Sequence, residues 1–259
     1  MLSALTRRLR SARPTSVRTG SPGRFFSQAR RASAEANGAA AADREATARR
    51  RHALVGPAEL WAMKRAFQIA FLKSRGLRPS HRLLDIGCGT LRGGVPLIDY
   101  LDAGHYAGCD VRPEALAEGR AELAEAGLAH KSPALVCGED FAATAAALDA
   151  AGAPGRFDYL WAYSVLIHMP DAVLADCLRF AAGRLAAGGA FYANVNLGER
   201  ENGGWQKFPV VWRSLEFYRD RAAAAGLAVE EIGTVAEHGH VSGNALADAH
   251  RLLKFTPAG

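Results

Sequence analysis

From residue 82 to residue 255 the sequence alternates short apolar runs with longer amphipathic stretches, and this restricts the chain to few architectures. Apolar runs of strand length occupy 82–86, 106–110, 134–137, 157–163, 190–196, 227–235 and 251–255. Helical patterns separate most of them, at 91–101, 113–126, 141–151, 171–185 and 214–225. Pro113 opens one of these at a position that tolerates proline, and Asp171 gives another an acidic start. Strands separated by helices of about 10–15 residues form βαβ units, which need a mainly parallel sheet. The expected fold is therefore α/β, a mainly parallel seven-stranded sheet with helices on both faces. An N-terminal helix over 57–74 precedes it, with Leu60, Met63, Phe67, Ala70 and Phe71 at helical spacing. In such open sheets the ligand lies at the carboxyl ends of the strands.

The first apolar run leads into Leu83-Leu84-Asp85-Ile86-Gly87-Cys88-Gly89-Thr90 and then a helical pattern. Glycines there let the backbone approach a ligand more closely than any Cβ permits. The following helix N-terminus offers unpaired N–H groups. A dinucleotide fingerprint needs Gly-x-Gly-x-x-Gly, but Arg92 stands at the last glycine position and Gly93 comes one residue late. Asp85 would also repel a pyrophosphate. An acid at that place suits a ligand that carries an ammonium group and no phosphate, as S-adenosylmethionine does.

The stretch resembles motif I of class I (Rossmann-like) S-adenosylmethionine-dependent methyltransferases, and the similarity continues in order over about residues 80–196. The resemblance implies that Gly87 and Gly89 cradle the donor, with Asp85 beside its amino acid. Asp110, which closes the second strand, would hold the ribose hydroxyls. Asp140, after the third strand, would lie near the adenine amino group, with Phe141 beside the ring. The run from Phe157 to Met169 resembles the family's motif IV region, and Gly188-Gly189 before the fifth strand also matches. Many members have a third glycine where this chain has Leu91. Arg92 is a candidate partner for the donor's carboxylate; a surface or sheet-edge salt bridge is the alternative. An Asp after a strand also serves as a helix cap, and that reading stays open for Asp110.

The implied activity is methyl transfer from S-adenosylmethionine to a small-molecule acceptor, through oxygen, nitrogen or sulfur. His168, just past the fourth strand, is the candidate general base, since imidazole titrates near neutrality; packing under the next helix is its other reading. Tyr163 ends the same strand and lines the pocket or packs. No Asn/Asp-Pro-Pro-Tyr motif is present, which argues against amide and adenine-amino acceptors. After the fifth strand, 202–217 holds Trp205, Phe208, Trp212 and Phe217 among glycines and a proline, a pattern for a substrate cap. Aromatic side chains on such a loop suit a small, partly apolar or cationic substrate. Trp61, Lys64 and Gln68 on the N-terminal helix are candidates to complete that lid. The rival readings are a noncatalytic methyltransferase-like binding protein, a protein methyltransferase and a nicotinamide-dependent oxidoreductase.

Charge is unevenly placed. Residues 1–34 hold eight arginines, six serines and no acid, the composition of an organelle transit peptide. Mitochondrial import is expected, with plastid or cytoplasmic location as alternatives. Residues 35–56 read as a linker or frayed helix, and 57–259 as the catalytic domain. From Pro57 onward there are 20 Lys and Arg against 23 Asp and Glu, a net of −3, which gives no electrostatic reason to expect nucleic acid. No run approaches the roughly 18 apolar residues of a membrane helix, so no membrane partner is expected. Cys88, Cys109, Cys137 and Cys177 show no metal-ligand spacing and are expected to be buried, reduced small hydrophobes. His238 and His240 share one face of an extended segment but lack a Cys or Asp cluster, so no metal is expected.

Overall fold

The computed structural model describes residues 22–259, with the backbone alone for 22–34, 36, 40 and 44. The transit-peptide reading of residues 1–34 thus lies wholly outside the described side chains. The chain divides into two compact units, residues 1–47 and 48–259. A long helix, α1 (Pro22–Ala53), covers most of the segment read as a linker. In the first unit the described side chains of 35–46 are exposed.

The second unit follows the alternation read from the sequence. A single turn, Ala58–Leu60, leads into α2 (Trp61–Ser74), so the helix proper starts four residues later than expected. Then come β1 (Leu83–Ile86), α3 (Gly94–Tyr100), β2 (Tyr106–Asp110), α4 (Pro113–Glu125), β3 (Ala134–Cys137) and α5 (Phe141–Ala150). They are followed by β4 (Phe157–Ala162), α6 (Asp171–Arg184), β5 (Leu185–Val195), β6 (Gly203–Trp205), β7 (Phe208–Val210) and α7 (Leu215–Ala224). The chain closes with β8 (Leu227–Thr234), α8 (Ala245–Asp248) and β9 (Arg251–Pro257).

Seven strands form one sheet in the order β3-β2-β1-β4-β5-β9-β8. The first five are parallel, and β9 runs antiparallel between β5 and β8. The chain winds outward from β1 to β3, then returns to pair β4 with the other edge of β1. That reversal leaves a crevice at the carboxyl ends of β1 and β4.

Successive residues of a strand face opposite sides of the sheet. Leu84, Leu160 and Ala162 accordingly join one core with Leu174, Leu178 and Tyr218. Leu83, Trp161 and Tyr163 join the other with Phe67, Phe71 and Leu97. Strands β1 and β2 are buried at every position, as a parallel sheet covered on both faces requires. On α2 the inward face differs from the expected one. Gln68 is buried and Ala70 exposed, because Gln68 Oε1 accepts a 3.0 Å hydrogen bond from the buried Trp161 Nε1. Cys88, Cys109 and Cys177 are buried free thiols, whereas Cys137, at the end of edge strand β3, is exposed.

Candidate active site

A cavity of about 780 Å³ opens at the carboxyl ends of β1, β2 and β4. All nine residues singled out from the sequence line it: Asp85, Gly87, Gly89, Arg92, Asp110, Asp140, Phe141, Tyr163 and His168. The remaining wall comes from Val55–Pro57, from Lys64 and Gln68 on α2, from the β6–β7 hairpin, and from the segment around α8.

The glycine loop needs its glycines. Gly87 and Gly89 have φ of 73° and 55°, in the left-handed region that L residues avoid. A Cβ on Gly87 would stand 2.4 Å from Val165 Cγ2, and one on Gly89 2.8 Å from Val55 Cγ1. Gly87 N and Cys88 N both donate to the carbonyl of Cys109, which pins the loop to β2. Leu91, at the place of the family's third glycine, is itself left-handed with φ 57°. Its buried side chain occupies the room beside Gly94 and Gly119, where added Cβ atoms would come within 2.7 and 2.9 Å of it. Packing thus holds a leucine in a glycine's conformation. This turn delays α3 to Gly94, three residues past the expected start.

Asp110 anchors the second strand end. Its Oδ2 accepts from Gly89 N at 2.9 Å, and its Oδ1 from Arg112 N at 2.9 Å and Arg112 Nε at 3.4 Å. The cap reading does not hold for it, since α4 is capped at Arg112. The capping aspartate is Asp140, which accepts from Ala143 N at 2.7 Å and starts α5. Phe141 follows it, with its ring 5.1 Å from that of Phe180.

Asp85 is buried and accepts a 2.7 Å hydrogen bond from the Tyr106 hydroxyl. Burial pushes its carboxyl up to about 7, against the opposing pull of that hydrogen bond. Arg92 is also buried, which rules out the surface salt-bridge reading. Its Nη1 donates to the Val55 carbonyl at 2.8 Å, and its guanidinium lies 5.7 Å from the Tyr163 ring centre. Its Nε is buried without a partner among the described residues.

His168 is half-buried, with Nδ1 2.7 Å from the Pro209 carbonyl. A carbonyl only accepts, so Nδ1 carries the proton and Nε2 keeps its lone pair in the neutral ring. Burial lowers its pKa and favours that neutral form. The ring stacks on Trp205 at 5.4 Å. Tyr163 is buried against Trp161 and Phe67. Burial raises its hydroxyl above the usual tyrosine range, so at neutral pH it keeps its proton and serves as a wall or donor.

The aromatic segment after β5 forms a hairpin with a two-residue turn, Gln206-Lys207, Gln206 at φ 53°. Trp205, Phe208 and Trp212 line the cavity. Phe217 does not: it sits on α7 and packs on the hydrophobic core. Of the α2 residues, Lys64 and Gln68 line the cavity, while Trp61 stacks on His52 at 3.9 Å. His238 and His240 part ways. His238 lies against Arg75 and the Ile232 carbonyl, whereas His240 pairs with Asp248.

Several cavity residues were not foreseen. Ser164 is left-handed, φ 59°, and its N–H donates to Asn194 Oδ1 at 2.6 Å. Asn194 Nδ2 in turn lies 2.9 Å from Nδ1 of His250, another cavity residue. The available signal was Asn194 and Asn196 interrupting an apolar strand.

Comparison with known proteins bears on the fold that carries this cavity. Residues 84–191 match a family described as a methyltransferase domain. The fold is similar to the CcbJ methyltransferase of Streptomyces caelestis, at 16% identity and TM-score 0.56, over 78% of this chain and 97% of that one. It is also similar to magnesium protoporphyrin IX methyltransferase of Synechocystis PCC 6803 solved with bound SAM, at 15% identity and TM-score 0.56, over 80% and 88%. A third similar structure is the glycopeptide N-methyltransferase MtfA complexed with S-adenosyl-L-methionine, at 17% identity and TM-score 0.53, over 74% and 93%. The domain match runs from β1 into β5, and the similar structures share the fold of this chain.

Proposed function

We propose that the protein transfers the methyl group of S-adenosylmethionine to a small-molecule acceptor within this single cavity. The supporting observation is its two-ended lining. Asp85, the glycine loop, Asp110 and Asp140 stand at one end, and His168 with the aromatic hairpin at the other.

The donor set suits the nucleoside. Asp110 has lone pairs beyond those used by its N–H partners, as a ribose diol requires. Asp85 can answer the ammonium group, and Arg92 the carboxylate. Asp140 and Phe141 border the place for the adenine. When bound, the sulfonium supplies an already activated methyl group. The chain's own residues then have to align the acceptor, exclude water and dispose of a proton. Alignment of this kind is worth on the order of 7–11 kcal/mol. Where the acceptor is a hydroxyl or amine, the acceptor atom bonds to the methyl carbon as the carbon–sulfur bond breaks. The acceptor's proton passes to His168 Nε2.

A small acceptor is favoured over a protein by the hairpin, whose Trp205 and Phe208 form a wall of the cavity. A noncatalytic binding role remains the alternative. Calorimetry with S-adenosylhomocysteine and NAD, followed by a metabolite-extract screen with labelled S-adenosylmethionine, tests both levels. Failure to bind S-adenosylhomocysteine refutes the donor site; binding without methylation of any extract component favours the noncatalytic role. We also propose mitochondrial import, from the Arg- and Ser-rich residues 1–34. A tagged chain that stays cytosolic and uncleaved refutes it.

A further inference from the structure

We infer that the acceptor end of the cavity is built for an oxyanion, a carboxylate or phosphate group on the acceptor, received by Lys64 and by the Nε2–H of His250. This rests on the methyltransferase reading and narrows its substrate class.

Lys64 projects from α2 into the cavity wall and is half-buried. Among the described residues its ammonium has no hydrogen-bond or ion-pair partner. Two acids act on it from a distance, Asp248 and Glu59. Asp248 makes its hydrogen bonds within its own loop and makes none to Lys64. Its Oδ1 accepts from Ser242 N, Ser242 Oγ and His240 Nδ1 at 2.8, 2.7 and 2.9 Å, and its Oδ2 from Gly243 N at 3.1 Å. Glu59 is exposed to solvent. A second cation converges on the same wall: Lys64 Nζ and Arg92 Nη1 each lie 3.9 Å from where a Cβ on Gly56 would stand. Burial and the Arg92 charge bring the Lys64 pKa down to about 8, against the smaller opposing pull of Asp248 and Glu59.

His250 adds a directed donor. Ser164 N–H fixes Asn194 Oδ1 as the acceptor, so Asn194 Nδ2 must donate to His250 Nδ1. The histidine proton is then on Nε2. Burial together with His240, Lys64 and His168 pushes its pKa down to about 4, which keeps the ring neutral at physiological pH. The lining acid on α6, Asp176, is paired with Arg179. A cationic acceptor would meet Lys64 and Arg92. A neutral one would leave a half-buried charge without a partner, which is costly. An oxyanion satisfies both donors, while the apolar remainder of the acceptor rests on Trp205 and Phe208.

The test uses the full chain, with and without saturating S-adenosylhomocysteine, titrated calorimetrically with benzoate, phenyl phosphate and benzamide. At least one of the two anions is expected to bind, with benzamide about tenfold weaker or worse, the loss of one hydrogen bond to a charged group. Comparing the two anions tells carboxylate from phosphate. Lys64→Met keeps the apolar stem and should lose about tenfold or more of the anion affinity. It should leave S-adenosylhomocysteine affinity unchanged and Tm equal or higher, because an unpartnered half-buried charge is removed, and Lys64→Arg should recover part of the anion affinity. The inference is overturned if neither anion binds, if benzamide matches them, if Lys64→Met binds them as the parent does, or if Lys64→Met weakens S-adenosylhomocysteine, which would give Lys64 to the donor's carboxylate beside Arg92. Failure of the parent to bind S-adenosylhomocysteine overturns the donor site instead, and the titration of the unloaded protein still decides on the oxyanion.

Discussion

Replacing Asp110 by asparagine should weaken binding of S-adenosylhomocysteine by about 10- to 150-fold. The carboxylate offers about four lone-pair positions. The main-chain N–H groups of Gly89 and Arg112 take one on each oxygen, both at 2.9 Å, and the longer Arg112 Nε contact shares Oδ1. The rest are available to the two ribose hydroxyls. Asparagine keeps one oxygen and turns the other position into a donor, which faces the Arg112 or Gly89 N–H and can accept from neither it nor a hydroxyl. At least one hydrogen bond to a charged group is lost, about 1.5–3 kcal/mol, and each 1.4 kcal/mol is tenfold. The side chain stays isosteric, so the glycine loop keeps its shape. Calorimetric titration of parent and variant measures the ratio, and a thermal melt confirms that the variant is folded. A folded Asp110→Asn protein that binds within threefold of the parent refutes the placement of the ribose on this carboxylate.

Three further outcomes follow from the same geometry. Asp85 has its folded pKa raised to about 7 from an ordinary 3.8, so its stabilising contribution is complete below pH 3.8 and is lost as pH rises through about 7. The Tm of the parent relative to Asp85→Asn should therefore fall between pH 5 and 8, and a flat difference would remove the buried acid. His168→Gln should lower turnover of a hydroxyl or amine acceptor by about 10²–10⁴-fold with S-adenosylhomocysteine affinity unchanged. The acidic limb of the parent's pH profile should lie below the 6.5 of an ordinary histidine, in line with burial of His168; an unaltered rate in the variant would exclude it as base. Leu91→Gly relieves a left-handed leucine, about 1–2 kcal/mol, but empties a fully buried site, about 2–5 kcal/mol for truncation even to alanine. The cavity term wins, so the variant should melt lower, and a higher Tm would mean that the turn is strained without compensation.

The order of strands and helices was legible because hydrophobic periodicity is a local property. The runs at 106–110 and 134–137 coincide with β2 and β3. The glycine loop was legible too, since glycine at closely spaced positions reflects a backbone that no other residue adopts cheaply. What the chain could not announce depends on residues far apart meeting. The left-handed Leu91 is stabilised by space beside Gly94 and Gly119, the latter 28 positions away. The tautomer of His168 is set by the Pro209 carbonyl, and that of His250 by Asn194, which Ser164 orients. The β6–β7 hairpin has strands of three residues, too short to give a period, and takes its place through contacts at the cavity mouth. Lys64 reads in sequence as a candidate lid residue, with nothing along the chain to say what its charge meets. Only when the sheet closes beneath α2, with Asp248 hydrogen-bonded to its own loop, does the Lys64 ammonium lack a hydrogen-bond or ion-pair partner among the described residues. Patterning along the chain selects the fold because each residue's burial follows from its neighbours in sequence, whereas protonation and polar pairing depend on which distant groups tertiary packing brings within hydrogen-bonding distance.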